Sequence, residues 1–219
     1  NISLYIWKPL WGFNNSFAVN GQQATYTYPL LDDAVYDVQL QVTDTTFQSD
    51  IVYTTVTVLN EDPVATAVCT GCVADEGDAP SFSCTATDPG TDQPTFWWDF
   101  GDGYVSGASQ TYTYVDDGAF TATCLVEDDD GGSDTDSVSV TIANVAPTLM
   151  PLVGPLVGTE GTSETWSAAA TDPGTSDSLT IAWHWGDGTP DGSSTSVAHT
   201  YADDGTYTLT ATATDGDGG

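Results

Sequence analysis

The groups with most chemistry in this chain are carboxylates, and they recur in register. Glu76-Gly77 returns as Glu160-Gly161 and Asp88 as Asp172. Asp128-Asp129-Asp130-Gly131-Gly132 matches Thr214-Asp215-Gly216-Asp217-Gly218. Asn60, Glu61 and Asp62 form one Asn-x-x-Pro segment, and Asn144 opens a second. Only five acids are Glu, and the rest are Asp, mostly in turns beside Gly. The short Asp side chain keeps its carboxylate near the backbone, so carboxylates and carbonyls can share one ion. Oxygen donors gathered this way suit Ca²⁺, a hard cation that takes six to eight of them. The candidate ligands are therefore Asn60, Glu61, Asp62, Glu76, Asp88, Asp128, Asp130, Asn144, Glu160, Asp172, Asp215 and Asp217. The Asp215 stretch lacks the spaced terminal Glu and flanking helices of an EF-hand.

The balance of charge leaves two explanations open. Against 32 acidic residues stands one Lys or Arg, Lys8, giving a formal charge of −31. Nucleic acid and anionic membrane surfaces both require clustered cations, so neither is an electrostatic partner. No apolar run approaches membrane-spanning length, so no membrane insertion is expected in this segment. Such unpaired charge opposes compaction unless something screens or binds it. Either acids are scattered over a salt-adapted surface, or they gather at joints and hold calcium. Catalysis finds no support. Carboxylate pairs are too numerous to indicate glycoside hydrolysis. His199, in Ala198-His199-Thr200-Tyr201, falls at the strand position of Thr113 and reads as a surface or packing residue.

The elements that carry these groups repeat. Trp97-Trp98-Asp99-Phe100-Gly101-Asp102-Gly103 returns as Trp183-His184-Trp185-Gly186-Asp187-Gly188, preceded by Thr-Asp-Pro-Gly-Thr and followed by Tyr-x-x-Asp-Gly in both places. The period, about 85 residues, is a whole small domain rather than a solenoid turn. A worn copy begins the chain, visible in Tyr26-Thr27-Tyr28 and Asp32-Asp33, with its Trp/Asp/Gly turn decayed to Trp7-Lys8-Pro9-Leu10-Trp11-Gly12. The expected domains are 1–60, a partial and divergent repeat; 61–144, a complete repeat; and 145–219, a repeat lacking its last strand. The chain reads as a window on a longer polypeptide. Stretches such as Thr206-Tyr207-Thr208-Leu209-Thr210-Ala211-Thr212 alternate with period two, as half-buried strands do. The expected fold is all-β: tandem immunoglobulin-like β-sandwiches arranged end to end.

Cys84 and Cys124 fall in a second and a sixth strand. Their counterparts in the last repeat, Ala168 and Ala211, change together, as partners facing across a core would. An inter-sheet Cys84–Cys124 disulfide is expected. Cys69-Thr70-Gly71-Cys72 reads as a local disulfide, with free or intermolecular thiols as the alternative. Zinc is disfavoured because His184 and His199 lie in another repeat. Paired cysteines point outside the reducing cytosol. Trp98 and Trp183 are expected in the cores, above Gly-Asp-Gly turns that suit glycine's positive φ.

Trp98-Asp99-Phe100-Gly101-Asp102-Gly103, with Tyr112-x-Tyr114 and Gly118-x-Phe120, resembles the polycystic kidney disease (PKD) domain family. The last repeat matches through Trp183, Gly186, Asp187, Gly188, His199, Tyr201, Gly205 and Tyr207, and departs at His184. The resemblance implies an extracellular immunoglobulin-like sandwich of the kind found in bacterial and archaeal surface proteins and secreted hydrolases, serving as spacer, adhesive module or carbohydrate-binding accessory. The Glu-Gly and Asp-Pro-Gly signals also resemble cadherin-like bacterial repeats, whose joints bind calcium. Two roles follow. One is a calcium-stapled stalk or filament unit at the cell surface, contacting neighbouring repeats or identical subunits, with a strand added to the open edge of the last repeat. The other is an adhesive module or hydrolase spacer, with Trp7, Trp11, Trp97 and Trp166 stacking on polysaccharide.

Overall fold

The computed structural model describes residues 2–9, 17–19, 34–90 and 92–219, and before residue 35 strand pairing alone is described. Of the decayed motif, Trp7-Lys8-Pro9 lies in the first strand, while Leu10, Trp11 and Gly12 and the side chain of Trp7 lie outside what is described. The first repeat contributes β1 (Ile2–Pro9), β2 (Phe17–Val19), β3 (Ala34–Asp44) and β4 (Ser49–Val58), forming one sheet in the order β2-β1-β3-β4.

The second repeat is a two-sheet sandwich. Its strands are β5 (Val64–Thr70), β6 (Val73–Asp75), β7 (Ser81–Thr87), β8 (Thr95–Asp99), β9 (Tyr104–Ser106), β10 (Ser109–Thr111), β11 (Gly118–Glu127) and β12 (Ser133–Ala143). One sheet runs β10-β7-β5 and the other β6-β12-β11-β8-β9. The chain changes sheets between β5 and β6 at the Cys69-Thr70-Gly71-Cys72 corner, where a Cys69–Cys72 disulfide closes the turn. β6 then runs parallel to β12, while the other pairings are antiparallel. Period-two patterning decides which side chains go inside: along β11, Ala122, Cys124 and Val126 are fully buried. Two acids on β12 do unusual work, since Asp134 Oδ2 accepts from Ala65 N and Asp136 Oδ2 from Ala67 N, both at 2.9 Å. They tie β5 to the opposite sheet along an edge where no strand pairs.

The third repeat follows the same plan with shorter strands: β13 (Thr148–Leu149), β14 (Ser163–Ser167), β15 (Ala170–Thr171), β16 (Thr180–His184), β17 (Gly192–Ser193), β18 (Ser196–Thr200) and β19 (Thr210–Thr214). Its sheets are β13-β15, β14-β18 and β17-β16-β19. The expected all-β tandem sandwich is what the chain forms.

Both cores are built on a ladder of rings. In the second repeat Trp98 stacks on Phe100, Phe100 on Tyr112 and Tyr114 on Phe120, with centroids 5.9, 4.4 and 4.4 Å apart. In the third, Trp183 stacks on Trp185, Trp185 on His199 and Tyr201 on Tyr207, at 5.8, 4.2 and 4.3 Å. His199 therefore occupies the place of Tyr112, not Thr113, and its ring is packing material. The polar end of the rung is kept as well. Tyr112 Oη donates to Asp102 Oδ2 at 3.0 Å, and His199 Nε2 lies 2.8 Å from Asp187 Oδ2. Beneath the ladder, the Gly-Asp-Gly turns take positive φ at Gly101, Gly103, Gly186 and Gly188, as a tight reversal there requires.

Trp98 is fully buried and pairs in register with Cys124, which is bonded to Cys84 across the core at a Cα separation of 6.4 Å. Trp183 pairs likewise with Ala211, and Ala168 faces the same core. Closing the loop between Cys84 and Cys124 should contribute about 3–4 kcal/mol. Reduction, or the double substitution of Cys84 and Cys124 by Ala, is expected to lower the stability of the second repeat by about that amount and leave the third unchanged. Urea unfolding followed by amide exchange in each repeat checks this.

Candidate metal centre at the repeat joint

The joint between the second and third repeats is made of four loops. From the second repeat come the turn after β6, carrying Glu76, and the loop before β11, carrying Asp116. Both are anchored by backbone bonds: Glu76 N donates to Ala143 O at 3.0 Å, and Gly77 N to Tyr114 O at 3.2 Å. From the third repeat come the loop between β15 and β16, with Asp172 and Asp177, and the turn after β19, with Asp215 and Asp217. Ser176 N reaches Val115 O across the joint, 3.4 Å away. Gly77 has φ 83° and lies against Pro173, so a Cβ there would meet that ring.

Glu76, Asp172 and Asp177 each bring a carboxylate oxygen within 4.8 Å of the others, and so do Asp116, Asp177 and Asp217. Asp177 belongs to both groups. Backbone hydrogen bonds occupy two oxygens of the Glu76, Asp172 and Asp177 group, and three others have no partner. Asp172 Oδ1 accepts from Gly174 N at 2.8 Å, and Glu76 Oε1 from Val145 N at 2.8 Å. Glu76 Oε2, Asp172 Oδ2 and Asp177 Oδ2 are buried with no hydrogen-bond partner. Glu76 itself is 3 % exposed. A Cβ built on Gly174 would run into Glu76 Oε2 and Asp177 Oδ2, so two orphaned oxygens converge on one small space.

The electrostatics follow from burial without counter-charge. Burial pushes the Glu76 carboxyl up; the Val145 N–H opposes this, and Asp172 and Asp117 add to it. Asp177 is pushed up to about 6 by burial first, then by Glu76, Asp217, Asp172 and Asp116. Asp217 is raised by burial and by Asp117 and Asp116. No Lys or Arg is at hand, because Lys8 is the only one in the sequence. Orphaned, buried, mutually repelling carboxylate oxygens are a donor set that fits a hard divalent cation.

Other predicted ligands are engaged in hydrogen bonds across the joints and within turns. Asn144 Nδ2 donates to Asp215 Oδ2 at 3.1 Å, and Asn60 Nδ2 to Asp128 Oδ2 at 2.9 Å. Each bond ties the end of one repeat to a turn of the next. The other oxygen of Asp128 accepts from Asp130 N and Gly132 N, and that of Asp215 from Asp217 N, Gly218 N and Gly219 N. Asp128 and Asp215 are thus true counterparts, one residue away from the register read in the sequence. The Asn60 bond holds Asp128 low, and the Gly219 N–H heads the donors that lower Asp215. Asp62 Oδ1 converges with Asn60 and Asp128 above Gly132, whereas Glu61 is exposed. Asp88 repeats the pattern of Asp172, with Oδ1 accepting from Gly90 N and Oδ2 buried without a partner. Asp130 sits with Asp92 and Asp129, and Glu160 with Asp203 and Asp204, in two further groups.

The sequence reading missed Asp177 and Asp116. The signal for Asp177 was a second Asp shortly after Asp-Pro-Gly-Thr in both repeats, at Asp92 and Asp177; Asp116 stood in the Tyr-x-x-Asp-Gly run. Among the aromatic candidates for sugar stacking, Trp166 is corrected. Trp166 is 8 % exposed and packs edge-on against Trp185 and Tyr201 in the core, because β14 turns it inward. Trp97, opposite Trp98 on β8, is half-buried with a buried Nε1. Trp7 and Trp11 fall outside the described side chains.

Sandwiches, ring ladders and Gly-Asp-Gly turns of this kind define an immunoglobulin-like repeat module. The PKD domain family model matches residues 60–142 and again 144–219, so the chain belongs to the PKD domain family. Residues 1–59 lie outside both matches. Among solved structures, the PKD1 domain of Vibrio anguillarum Epp is 23% identical with a TM-score of 0.33, over 38% of this chain and 96% of that one. The PKD1 domain of the Vibrio cholerae metalloprotease PrtV is 27% identical with a TM-score of 0.32, over 37% and 98%. The amphioxus IgVJ-C2 molecule is 16% identical with a TM-score of 0.41, over 64% and 90%. No curated protein matches the chain. PKD domains are non-catalytic modules of extracellular proteins. Among the described residues no helix is long and apolar enough to cross a membrane.

Raised carboxyls give the ion-free joint a signed pH dependence. Glu76, Asp177 and Asp217 hold protons more tightly in the folded joint than unfolded carboxyls, which titrate near about 4. The stability they contribute is therefore fully present below about pH 4 and is lost as pH rises through about 6, the value to which Asp177 is pushed. In EDTA, the thermal midpoint should fall steadily between about pH 4.5 and 7. Asp177→Asn should remove most of that slope, whereas a general effect of net charge would leave it nearly intact.

Proposed function

We propose that this chain is an extracellular spacer: a stiff array of PKD repeats whose joints are locked by Ca²⁺, forming part of a surface stalk or filament. The observation that carries the reading is the set of orphaned oxygens on Glu76, Asp172 and Asp177, buried between two repeats with no cationic side chain to answer them. Glu76 comes from one repeat and the two Asp residues from the next. An ion held by all three ties the repeats together, and its loss leaves three like charges pushing them apart. Asp116 and Asp217 would widen the oxygen set from the same two sides. The Asn–Asp bonds then fix direction, and the ion supplies stiffness. In this reading the chain is not an enzyme, and its partners are neighbouring repeats. A sugar-binding role has less support, since Trp166 is packed into the core and Trp97 is half-buried.

Thermal unfolding with and without EDTA, with calcium titrated back at fixed ionic strength, tests this. Calcium should restore a midpoint lost to EDTA, and Asp172→Asn or Asp177→Asn should abolish the restoration while each sandwich still folds. If EDTA changes nothing and NaCl alone raises the midpoint, the acids are a salt-adapted surface and the metal centre is refuted.

A further inference from the structure

Asp177 stands at the meeting of two carboxylate groups, one with Glu76 and Asp172 and one with Asp116 and Asp217. Calcium holds its oxygen ligands at about 2.3–2.6 Å, so two ligands of one ion lie no more than about 5 Å apart. Within each group the oxygens meet that limit, lying within 4.8 Å of one another. The five carboxylates do not form a single group of that size, and Asp177 is the only member the two share. One ion therefore reaches three of the five acids, and the pair on the other side of Asp177 lies beyond its shell.

Charge leads to the same division. One divalent ion leaves three of the five carboxylate charges unanswered. Asp117 adds to the excess, since it bears on Glu76 and on Asp217 alike. No Lys or Arg is at hand to answer the remainder, because Lys8 lies in β1 of the first repeat. Like charges held a few ångströms apart in a poorly screened space oppose closure of the joint. A second divalent ion reduces the excess on the five acids to a single charge.

Each group also spans the joint, taking one acid from the second repeat and two from the third. The first group is lined by the unpartnered, buried Glu76 Oε2, Asp172 Oδ2 and Asp177 Oδ2, and Glu76 itself is 3 % exposed. A fourth unpartnered oxygen belongs to the joint as well. Asn144 donates from Nδ2 to Asp215 Oδ2, two residues before Asp217, and its Oδ1 is buried with no partner. An amide oxygen is an ordinary calcium ligand and brings no charge with it. Asp217 is presented on a fixed turn, because Asp215 Oδ1 accepts from Asp217 N, Gly218 N and Gly219 N at 2.9, 2.7 and 2.8 Å.

We infer that the joint between the second and third repeats is a two-ion centre, in which Asp177 bridges one Ca²⁺ held with Glu76 and Asp172 and a second held with Asp116 and Asp217. The inference rests on the calcium-locked joint proposed above and adds to it a second ion and a bridge. Two ions sharing a carboxylate lie on the order of 4 Å apart. Each ion binds acids from both repeats, so the joint is stapled at two points. Two points resist rotation of one repeat on the next, which a single point does not.

The test measures calcium bound per chain by equilibrium dialysis at high, fixed ionic strength. Relative to the unaltered chain, Asp177→Asn should lose about two ions, and Asp116→Asn combined with Asp217→Asn about one. Tb³⁺ and Eu³⁺ loaded together report proximity. In the unaltered chain, energy transfer to a neighbouring Eu³⁺ should shorten the Tb³⁺ emission lifetime, and the Asp116→Asn, Asp217→Asn chain should regain the longer one. Absence of that shortening overturns the bridge by itself. Loss of about one ion in Asp177→Asn and none in Asp116→Asn, Asp217→Asn overturns the second ion and leaves a one-ion joint standing. If no variant alters calcium uptake, the two-ion centre and the calcium-locked joint fall together.

Discussion

A chain with 32 carboxylates and one Lys or Arg has to satisfy its acids without salt bridges to either residue. Backbone N–H groups do much of the work. Asp44, Asp99, Asp128, Asp172, Asp187 and Asp215 each accept one or more N–H bonds from the residues two to four positions on, so each acid defines a turn. Thr189 and His199 together hold Asp187 down to about 2, the hydroxyl of Thr189 first. On β12, Asp134 and Asp136 use the same chemistry across the sandwich, standing in for strand pairing on β5. The buried carboxylate oxygens that no donor reaches lie on Glu76, Asp88, Asp172 and Asp177, and three of these four acids meet at the joint, where two repeats bring their loop ends together. The sequence composition thus leads directly to the question of what neutralises that joint.

The second and third repeats show how loosely the core constrains its materials. The second repeat spans its sheets with a disulfide between Cys84 and Cys124, and the third places Ala168 and Ala211 there and leans on more indole. Trp185 replaces Phe100 and Trp166 replaces Phe82, so larger rings fill volume that the disulfide and its neighbours occupy elsewhere. The exchange of Tyr112 for His199 keeps the stacking and the polar contact to the turn Asp. What does not vary is the Trp on the third strand and the Gly-Asp-Gly reversal after it, because the ladder above is aimed by them.

Much of the fold was legible because its signals are local. Period-two alternation marks strands such as β11 and β12, Gly-Asp-Gly marks turns, and the paired change from Cys84 and Cys124 to Ala168 and Ala211 identifies a contact across the core. The joint was legible only in part. Glu76, Asp172 and Asp217 stand out by recurrence, but Asp177 and Asp116 enter through the meeting of two domains, which no periodicity within one repeat encodes. Asp128 and Asp215 recur for a reason of their own. They repeat because a turn needs an N–H acceptor, and Asn60 and Asn144 repeat because that acceptor has a lone pair to spare. Trp166 misled for the opposite reason: unlike Trp98 it has no counterpart indole, yet β14 still points it inward, since the position and not the ring type is what repeats.

The division of labour between strands and loops has a consequence for the array. Crossing the second joint are Asn144 to Asp215, Val145 to Glu76 and Ser176 to Val115, bonds made by loop residues and by no strand. Neutral or singly charged hydrogen bonds of this sort each contribute on the order of 1 kcal/mol. The joint also confines several carboxylates in a partly desolvated space, where like-charge repulsion is less screened than on an open surface. A few such bonds can set the direction of one repeat relative to the next, but the carboxylates work against them whenever they are ionised. In the reading proposed above, whatever neutralises Glu76, Asp172 and Asp177 governs the stiffness of the joint, while the core of each sandwich is built from its own repeat. Core and joint can respond to different solution conditions, which is the property a spacer needs if its reach is to change without its modules unfolding.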